Sequence, residues 1–419
     1  MRWGVAYSNP SPAATMRLPL VLLLPAVLVA GLAAQKPRAR ALGIPFNGTP
    51  GPLNAITDVA GVEVGQVTLI RGAGRLRVGS GPVRTGVTAV LPRGKSSVPV
   101  MAAWWTLNGN GEMTGTTWLE ESGFLWGPVM ITNTLSVGVV RDAVISWAVA
   151  RSYDDFLWAL PMVAETYDGG LNDIKGMHVT REHAFQALDG ATAGPVAEGN
   201  VGGGTGMVCH QFKGGIGTSS RRFTVLEGGY TVGVLVQCNY GGRRRLSIAG
   251  VPVGPEIQGF EPCLTLPDPA EAWLREVPRC GAERGDAPAS TVREELGSII
   301  VVLATDAPLL PHQLKRVARR IALGIGRMGG IGGDSSGDIF IAFSTANADA
   351  GGADSLATAR FIPNDAINPV FEAAVDATEE AIVNAMMAAE TMTGSDGFRV
   401  YALPTDQVLA LLRRAGRLK

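Results

Sequence analysis

Histidine, cysteine and net charge are scarce in this chain, and each scarcity argues against a class of protein. Only four histidines occur among 419 residues, and their spacing does not resemble a metal site. The 36 basic and 37 acidic residues give a formal net charge of −1, so the sequence has no electrostatic footprint for nucleic acid. We therefore expect neither a bound metal nor a nucleic-acid partner.

The four cysteines divide into two pairs by their surroundings. Cys263 and Cys280 flank a segment rich in proline and glutamate and are candidates for a disulfide in an oxidising compartment. Cys209 and Cys238 stand among glycines and apolar residues, which favours buried thiols. Neither spacing is typical of a zinc site.

Long apolar runs are rare, and the one near the N-terminus has the pattern of an export signal. Arg17 precedes the apolar run 18–34, which contains Pro25 and ends in small residues before Gln35. The pattern predicts a cleavable signal over residues 1–34, with 1–15 as an upstream extension, and a secreted or periplasmic protein without a membrane span after cleavage. An uncleaved anchor is the alternative.

Glycine, by contrast, is abundant, and its clusters do not match nucleotide-binding loops. The 55 glycines are nearly twice the average usage of ~7%, without a collagen period. Gly324-x-Gly326-x-x-Gly329 matches the dinucleotide fingerprint in letters, but it follows a helical pattern rather than a strand. The cluster at 201–207 lacks the Lys-Ser/Thr of a phosphate loop. No cofactor is therefore expected, although either cluster has backbone N–H groups that suit an oxyanion.

Apolar periodicity from residue 44 onward predicts mixed α and β structure. Residues 251–293 are the exception, because proline, glutamate and arginine replace the periodic pattern there, and we expect an exposed excursion. Strands are predicted at 56–59, 62–70, 85–92, 161–170, 222–226, 230–236, 299–305, 339–344 and 400–403. Helices are predicted at 136–153, around 181–188, from 311 with Leu314, Val317, Ile321 and Leu323 facing inward, at 368–392 and at 406–414.

The junction between Gly297 and Ser298 precedes an unbroken β-branched run typical of a strand buried on both faces. A serine at this position is open to two interpretations: an ordinary strand start, or a nucleophile exposed by cleavage of the chain. Glycine leaves its carbonyl unshielded, which suits the second. Because histidine is scarce, such a serine needs another base, and a free α-amino group with a reference pKa of about 7.7–8.0 is competent near neutral pH.

Several motifs together resemble the self-processing L-aminopeptidase/D-esterase and β-peptidyl aminopeptidase family (peptidase family S58, DmpA-like). The resemblance covers residues 44–405, and each motif is weak alone. In order along the chain they are Asn54–Val62, Thr132–Gly138, Glu165–Gly169, Asn200–Met207, Gln237–Gly241, Leu296–Ser298 and Gly332–Asp338.

The resemblance implies a four-layer αββα sandwich of α+β class, similar to N-terminal-nucleophile hydrolases, assembled as a tetramer of αβ units. It implies cleavage between Gly297 and Ser298 into an α chain (35–297) and a β chain (298–419), with Ser298 as nucleophile. The other roles implied by the matching positions are orientation of the nucleophile and its amine by Ser336 and Asp338, oxyanion stabilisation by Tyr167 and Asn239, and binding of the substrate ammonium by Glu165.

These implications predict a serine aminopeptidase acting on short peptides, amides or esters with a free N-terminus, of L-α, D- or β-residues. An endo-amidase of polyamide-like oligomers or an acyltransferase on the same fold is the alternative, although the acyltransferases generally have threonine at the position of Ser298. An uncleaved, catalytically silent binding scaffold is a third. Two features depart from the family pattern: the 251–293 segment is long, and Cys238 stands where a small residue is expected.

Overall fold

The computed structural model describes residues 36–151, 159–282, 297–351 and 356–418. The helices in these ranges are α1 Thr116–Ser122, α2 Val137–Ala150, α3 Arg181–Asp189, α4 Pro311–Arg327, α5 Asn368–Ala388 and α6 Thr405–Arg414. The strands are β1 Glu63–Arg71, β2 Val83–Lys95, β3 Val100–Thr106, β4 Phe124–Leu125, β5 Val129–Asn133, β6 Met162–Thr166, β7 Val208–Cys209, β8 Phe212–Lys213, β9 Gly215–Val225, β10 Gly228–Asn239, β11 Ser247–Ile248, β12 Val251–Pro252, β13 Cys263–Leu264, β14 Ser298–Thr305, β15 Ile339–Ser344, β16 Met392–Thr393 and β17 Phe398–Val400.

Two large sheets form the centre of the fold. One has the strand order β1-β2-β5-β6 and the other the order β4-β3-β15-β14-β10-β9. Both are mixed, since β5 pairs parallel with β6 and β14 pairs parallel with β15, whereas the remaining neighbours are antiparallel.

The alternation of side chains along β14 explains why the two sheets stack. Ile300, Val302 and Ala304 point into a core shared with the four-stranded sheet, where Val129 and Ile131 meet them. Their neighbours on the opposite face pack against α4 and α5; these are Ile299, Val301 and Leu303. Each face of the strand is therefore buried, as its unbroken apolar sequence predicts.

Helices cover the outer face of each sheet. Met130 and Val163 of the four-stranded sheet pack against α2 and α3, with Trp147 of α2 fully buried there. On the other side, α4 and α5 pack on the six-stranded sheet. The resulting order of layers is helix, sheet, sheet, helix, so the predicted α+β four-layer αββα sandwich is confirmed. None of the helices in the described ranges is both long and apolar enough to cross a bilayer.

The structure corrects several sequence-based predictions. Ile56–Asp58 form a 3₁₀ turn rather than a strand, because Thr218 on β9 accepts the Ile56 N–H through its hydroxyl. Residues 100–106 form β3, which the sequence did not reveal. The predicted helix 136–153 is helical to Ala150, and its last predicted residues lie outside the described residues.

The predicted excursion at 251–293 is only partly exposed. Its β13 pairs with β17, and Leu264, Leu274 and Val277 are buried in a small core beneath Phe398. The prediction of a wholly exposed segment is therefore wrong for residues 251–282, because scattered apolar residues without a period still close a satellite core. Residues 283–293 lie outside the described residues, as does the predicted signal segment 1–34.

Both cysteine pairs are disulfides in this structure. Cys263 and Cys280 are bonded across the 251–282 segment, as the flanking positions suggested. Cys209 and Cys238 are bonded as well, so the prediction that they remain thiols is wrong. This second pair was not predicted because β7 and β10 become neighbours only in the folded chain.

Helix α4 provides a matched test of the packing described above. Ile321 is 0% exposed against the six-stranded sheet, whereas Leu323, which we predicted to face inward, is 60% exposed. We expect Ile321→Ala to lower the free energy of unfolding by about 2–5 kcal/mol, since it leaves a cavity. Leu323→Ala serves as the control and should change it by less than about 0.5 kcal/mol. Urea denaturation followed by circular dichroism measures both; equal effects would contradict the layer assignment.

Candidate active site

The first residue of β14 lies where three strands bring their ends together. In the antiparallel pairing with β10, Ser298 stands opposite Asn239. On its other side, the parallel pairing with β15 begins at Ile300 and Ile339, so the turn that ends at Asp338 meets the start of β14. Residues far apart in sequence thus converge on the Gly297–Ser298 junction.

The hydroxyl of Ser298 is buried in this cluster, with 6% of the residue exposed. Its Oγ accepts a hydrogen bond of 3.1 Å from the Gly337 N–H. The Asp338 carboxylate lies alongside: its Oδ1 accepts from the Ile299 N–H at 3.2 Å and from the Ser336 hydroxyl at 2.7 Å. Ser298, Ser336 and Asp338 are therefore brought together, as the sequence predicts.

Gly297 could not be replaced by a larger residue without moving the backbone. A Cβ built on it would lie 1.8 Å from the carbonyl oxygen of Asn239, and its φ of +152° belongs to the range that favours glycine. The same Cβ position is 3.4 Å from the Asn239 side-chain Nδ2. The amide of Asn239 is therefore adjacent to the junction.

The Asn239 side chain is held at both ends. Its Oδ1 accepts from the Val208 N–H at 2.7 Å, and its Nδ2 donates to the backbone carbonyl of Tyr167 at 3.0 Å. This fixes the amide orientation and leaves its second N–H as a donor. The Tyr167 side chain is 52% exposed and its phenol lies against Gly169, so the structure brings the backbone of Tyr167, but not its hydroxyl, to Asn239.

Glu165 is buried near the end of β6, in the four-stranded sheet. Its Oε1 accepts from the Glu112 N–H at 3.0 Å, and its Oε2 accepts from the Thr134 hydroxyl. Burial raises the pKa of this carboxyl, partly offset by the Thr134 hydrogen bond. A buried carboxylate with two donors and lone pairs to spare suits a cationic partner.

The loop that follows β3 joins these groups, and its role was not predicted from the sequence. Asn108 Oδ1 accepts from the Asp338 N–H at 2.7 Å, and Asn110 Nδ2 donates to the Ser335 carbonyl at 2.8 Å. The backbone N–H of Glu112 donates to the Glu165 carboxylate, as described above. A single loop therefore forms hydrogen bonds both to the turn that contains Ser336 and Asp338 and to the Glu165 carboxylate. The clustering of asparagine and glycine after Trp105 was the available signal.

Together these residues make up the candidate active site. A buried hydroxyl at the start of a strand, an amide donor beside a glycine and a buried carboxylate suit acyl transfer. The four-layer αββα sandwich is the fold of the N-terminal-nucleophile hydrolases. The chain belongs to peptidase family S58, whose family model matches residues 54–400, and it is an aminopeptidase.

Two curated relatives and two solved structures resemble the chain over most of its length. The chain is 55% identical to beta-peptidyl aminopeptidase BapA of Sphingosinicella microcystinivorans (94% of this chain, 97% of the relative) and 47% identical to that of Sphingosinicella xenopeptidilytica (94% and 96%). The L-aminopeptidase D-Ala-esterase/amidase of Ochrobactrum anthropi superimposes with a TM-score of 0.79 at 47% identity (92% and 100%). A Burkholderia sp. beta-aminopeptidase gives 0.76 at 45% (91% and 99%).

Asp168, the neighbour of Tyr167, is a fully enclosed carboxyl that holds the end of β6. It accepts from the side-chain amides of Asn133 and Asn172 at 3.1 and 3.0 Å. Burial outweighs these bonds and raises the pKa of Asp168 to about 6. The folded protein therefore holds this proton more tightly than the unfolded chain does.

This difference predicts a pH dependence of stability. The contribution of Asp168 is fully present below about pH 4 and is lost as the pH rises through 6, a fall of about 3 kcal/mol. We expect Asp168→Asn, which does not titrate, to remove this part of the dependence in urea titrations between pH 4 and pH 7. The exposed acid Asp365 provides the control, since Asp365→Asn should retain the wild-type dependence. An unchanged pH slope in Asp168→Asn would refute the assignment.

Proposed function

We propose that the chain cuts itself between Gly297 and Ser298 and then works as an N-terminal-serine aminopeptidase. The observation that carries the proposal is the junction itself: a glycine that only fits without a side chain, next to the Asn239 amide, followed by a buried hydroxyl. These features serve no purpose in an ordinary strand start, which tolerates other residues.

Self-cleavage begins with attack of Ser298 Oγ on the carbonyl carbon of Gly297. The C–N bond breaks, a C–O ester forms, and the hydroxyl proton passes to the departing amine. Water then hydrolyses the ester, which releases the Gly297 carboxylate and frees both the hydroxyl and the α-amine of Ser298. The Asn239 amide, whose Nδ2 lies 3.4 Å from the position of a Cβ on Gly297, stabilises the negative oxygen that forms on the Gly297 carbonyl.

Turnover reuses the same hydroxyl with its new amine as the base. The α-amine takes the hydroxyl proton, because its pKa of about 7.7–8.0 in reference peptides matches the working pH. Asp338 and Ser336 orient the start of β14 through the bonds described above. Asn239 donates to the oxyanion, and Tyr167 supplies a second donor after rotation of its exposed side chain.

Glu165 selects the substrate by its free amino group. An ammonium ion placed against the buried carboxylate forms a charge-assisted hydrogen bond and favours the ionised form of a group whose pKa burial has raised. The substrates are short peptides, amides or esters of L-α, D- or β-residues. The names of the BapA relatives favour β-peptides among them.

The buried carboxylate also separates this function from its rivals. An endo-amidase acting on N-blocked oligomers has no ammonium to place against Glu165, and an acyltransferase of this fold type is disfavoured by serine at position 298. A silent scaffold needs no glycine-only junction. Removal of residues 1–34 on export to the periplasm or medium, and assembly into a tetramer of αβ units, complete the proposal.

The variant Ser298→Ala tests the cleavage and the nucleophile. Without the hydroxyl, we expect a single uncut chain and a loss of aminopeptidase activity of at least about 10³-fold, because the nucleophile is gone. Mass spectrometry of the purified protein measures the chains, and it should show wild-type chains 35–297 and 298–419. Native mass spectrometry of the same sample gives the assembly.

Ser219→Ala is the matched control, since Ser219 is a buried serine of β9 whose hydroxyl bonds to the Ala377 carbonyl. It should be cut like the wild type. Active wild-type protein that remains one intact chain would overturn the proposed function.

The variant Glu165→Gln tests the selection of a free amino group. We expect kcat/KM to fall about 10-fold to 100-fold for an amide with a free N-terminal amine, because a hydrogen bond to a charged group is lost. Glu112→Gln is the control: its backbone N–H, which binds Glu165, is retained, so the loss should stay below about threefold. Paired assays with free and N-acetylated substrates measure both variants; equal losses would contradict the role of Glu165.

A further inference from the structure

Lys213 is a completely buried lysine that the mechanism above does not use. Its Nζ donates to three backbone carbonyls: Met207 at 2.7 Å, Gly214 at 2.9 Å and Gly204 at 3.4 Å. Within the described ranges, no carboxylate forms an ion pair with it. Burial lowers the pKa of Lys213 to about 7, while the three acceptors favour the ammonium form.

The carbonyl closest to Lys213 belongs to the peptide unit that also holds Asn239. The oxygen of the Met207–Val208 peptide accepts from Lys213 Nζ, and the N–H of the same peptide donates to Asn239 Oδ1 at 2.7 Å. One planar peptide therefore separates the ammonium of Lys213 from the amide of Asn239. The other end of that amide is the proposed oxyanion donor.

The ammonium supplies hydrogen bonds to the Gly204 and Gly214 carbonyls, so part of its role is structural. The Met207 oxygen also accepts from the Gly214 N–H at 2.9 Å, so this carbonyl keeps a partner without the lysine. The bond from Lys213 to the Met207 oxygen is therefore better explained by what it does to the peptide.

A hydrogen bond donated to a carbonyl oxygen polarises the whole peptide unit, and an ammonium does so more strongly than a neutral amine. Hydrogen bonds in a chain strengthen one another by roughly 10–30% per bond, and more where the medium excludes water. Lys213 thus strengthens the Val208 N–H as a donor to Asn239 Oδ1. That bond in turn polarises the Asn239 amide and makes its Nδ2 hydrogens better donors to a developing oxyanion.

We propose that Lys213 is a positioning residue that orients and polarises the Asn239 amide through the Met207–Val208 peptide. The proposal rests on the role of Asn239 proposed above. Because the effect concerns an oxyanion that exists only in the transition state, it acts on kcat rather than on KM.

The test is a double-mutant cycle on the full chain. Lys213→Met, Asn239→Ala and the double variant are assayed for kcat and KM with a free-amine amide substrate, and for the first-order rate of precursor cleavage. We expect Lys213→Met to lower kcat about 2-fold to 10-fold, because the oxyanion bond from Asn239 is weakened but not lost, with KM changed less than about twofold. If Lys213 acts through Asn239, the double variant should be no slower than Asn239→Ala within about twofold.

Each other outcome is decisive. Independent losses that multiply, or wild-type kcat in Lys213→Met, would overturn the role of Lys213. Wild-type kcat in Asn239→Ala would instead overturn the proposed role of Asn239.

Lys213→Gln, which keeps a donor without the charge, is the second variant. If neither Lys213 variant folds, Lys213 is a folding residue and the proposal is overturned. Ser219→Ala, buried outside this cluster, should keep kcat and KM.

Discussion

The close approach of two backbones at the start of β14 is the constraint on which the site depends. Gly297 lies so near the carbonyl of Asn239 that a single added carbon would overlap it. This contact is a consequence of the antiparallel register that places Asn239 opposite Ser298. The same pairing that completes the sheet therefore delivers an amide donor, a glycine carbonyl and a buried hydroxyl to one point.

Around this point the fold supplies hydrogen bonds that hold the site residues in place. The loop after β3 ties the Asp338 turn to Glu165 through Asn108 and Glu112. The Met207–Val208 peptide fixes Asn239 from the opposite side. Hydrogen bonds in a site shielded from water are directional and strong, so each support restricts the rotation of a side chain that must be placed before reaction. Rigidity of this kind is typical of preorganised oxyanion sites.

Much of the site was predictable because its motifs resemble those of a known family. Ser298, Ser336, Asp338, Asn239 and Glu165 all stand in these motifs, and the structure brings them to neighbouring strand ends. The motif that contains Tyr167 does not show which way the exposed phenol points. Asn108 and Lys213 were missed, because an asparagine in a glycine-rich loop and a lysine on a two-residue strand have no distinctive sequence pattern.

The sequence by itself determined that β14 lies inside, because this strand is apolar on both faces. It also places the Gly297–Ser298 pair at the start of the same strand. The order of the layers was predicted only through the resemblance to a known family. Only the tertiary structure decided the register of β10 on β14 and the pairing of Cys209 with Cys238. It alone also decided that the Met207–Val208 peptide contacts both Lys213 and Asn239. These are contacts between residues distant along the chain, and their free energy depends on geometry that local periodicity does not encode.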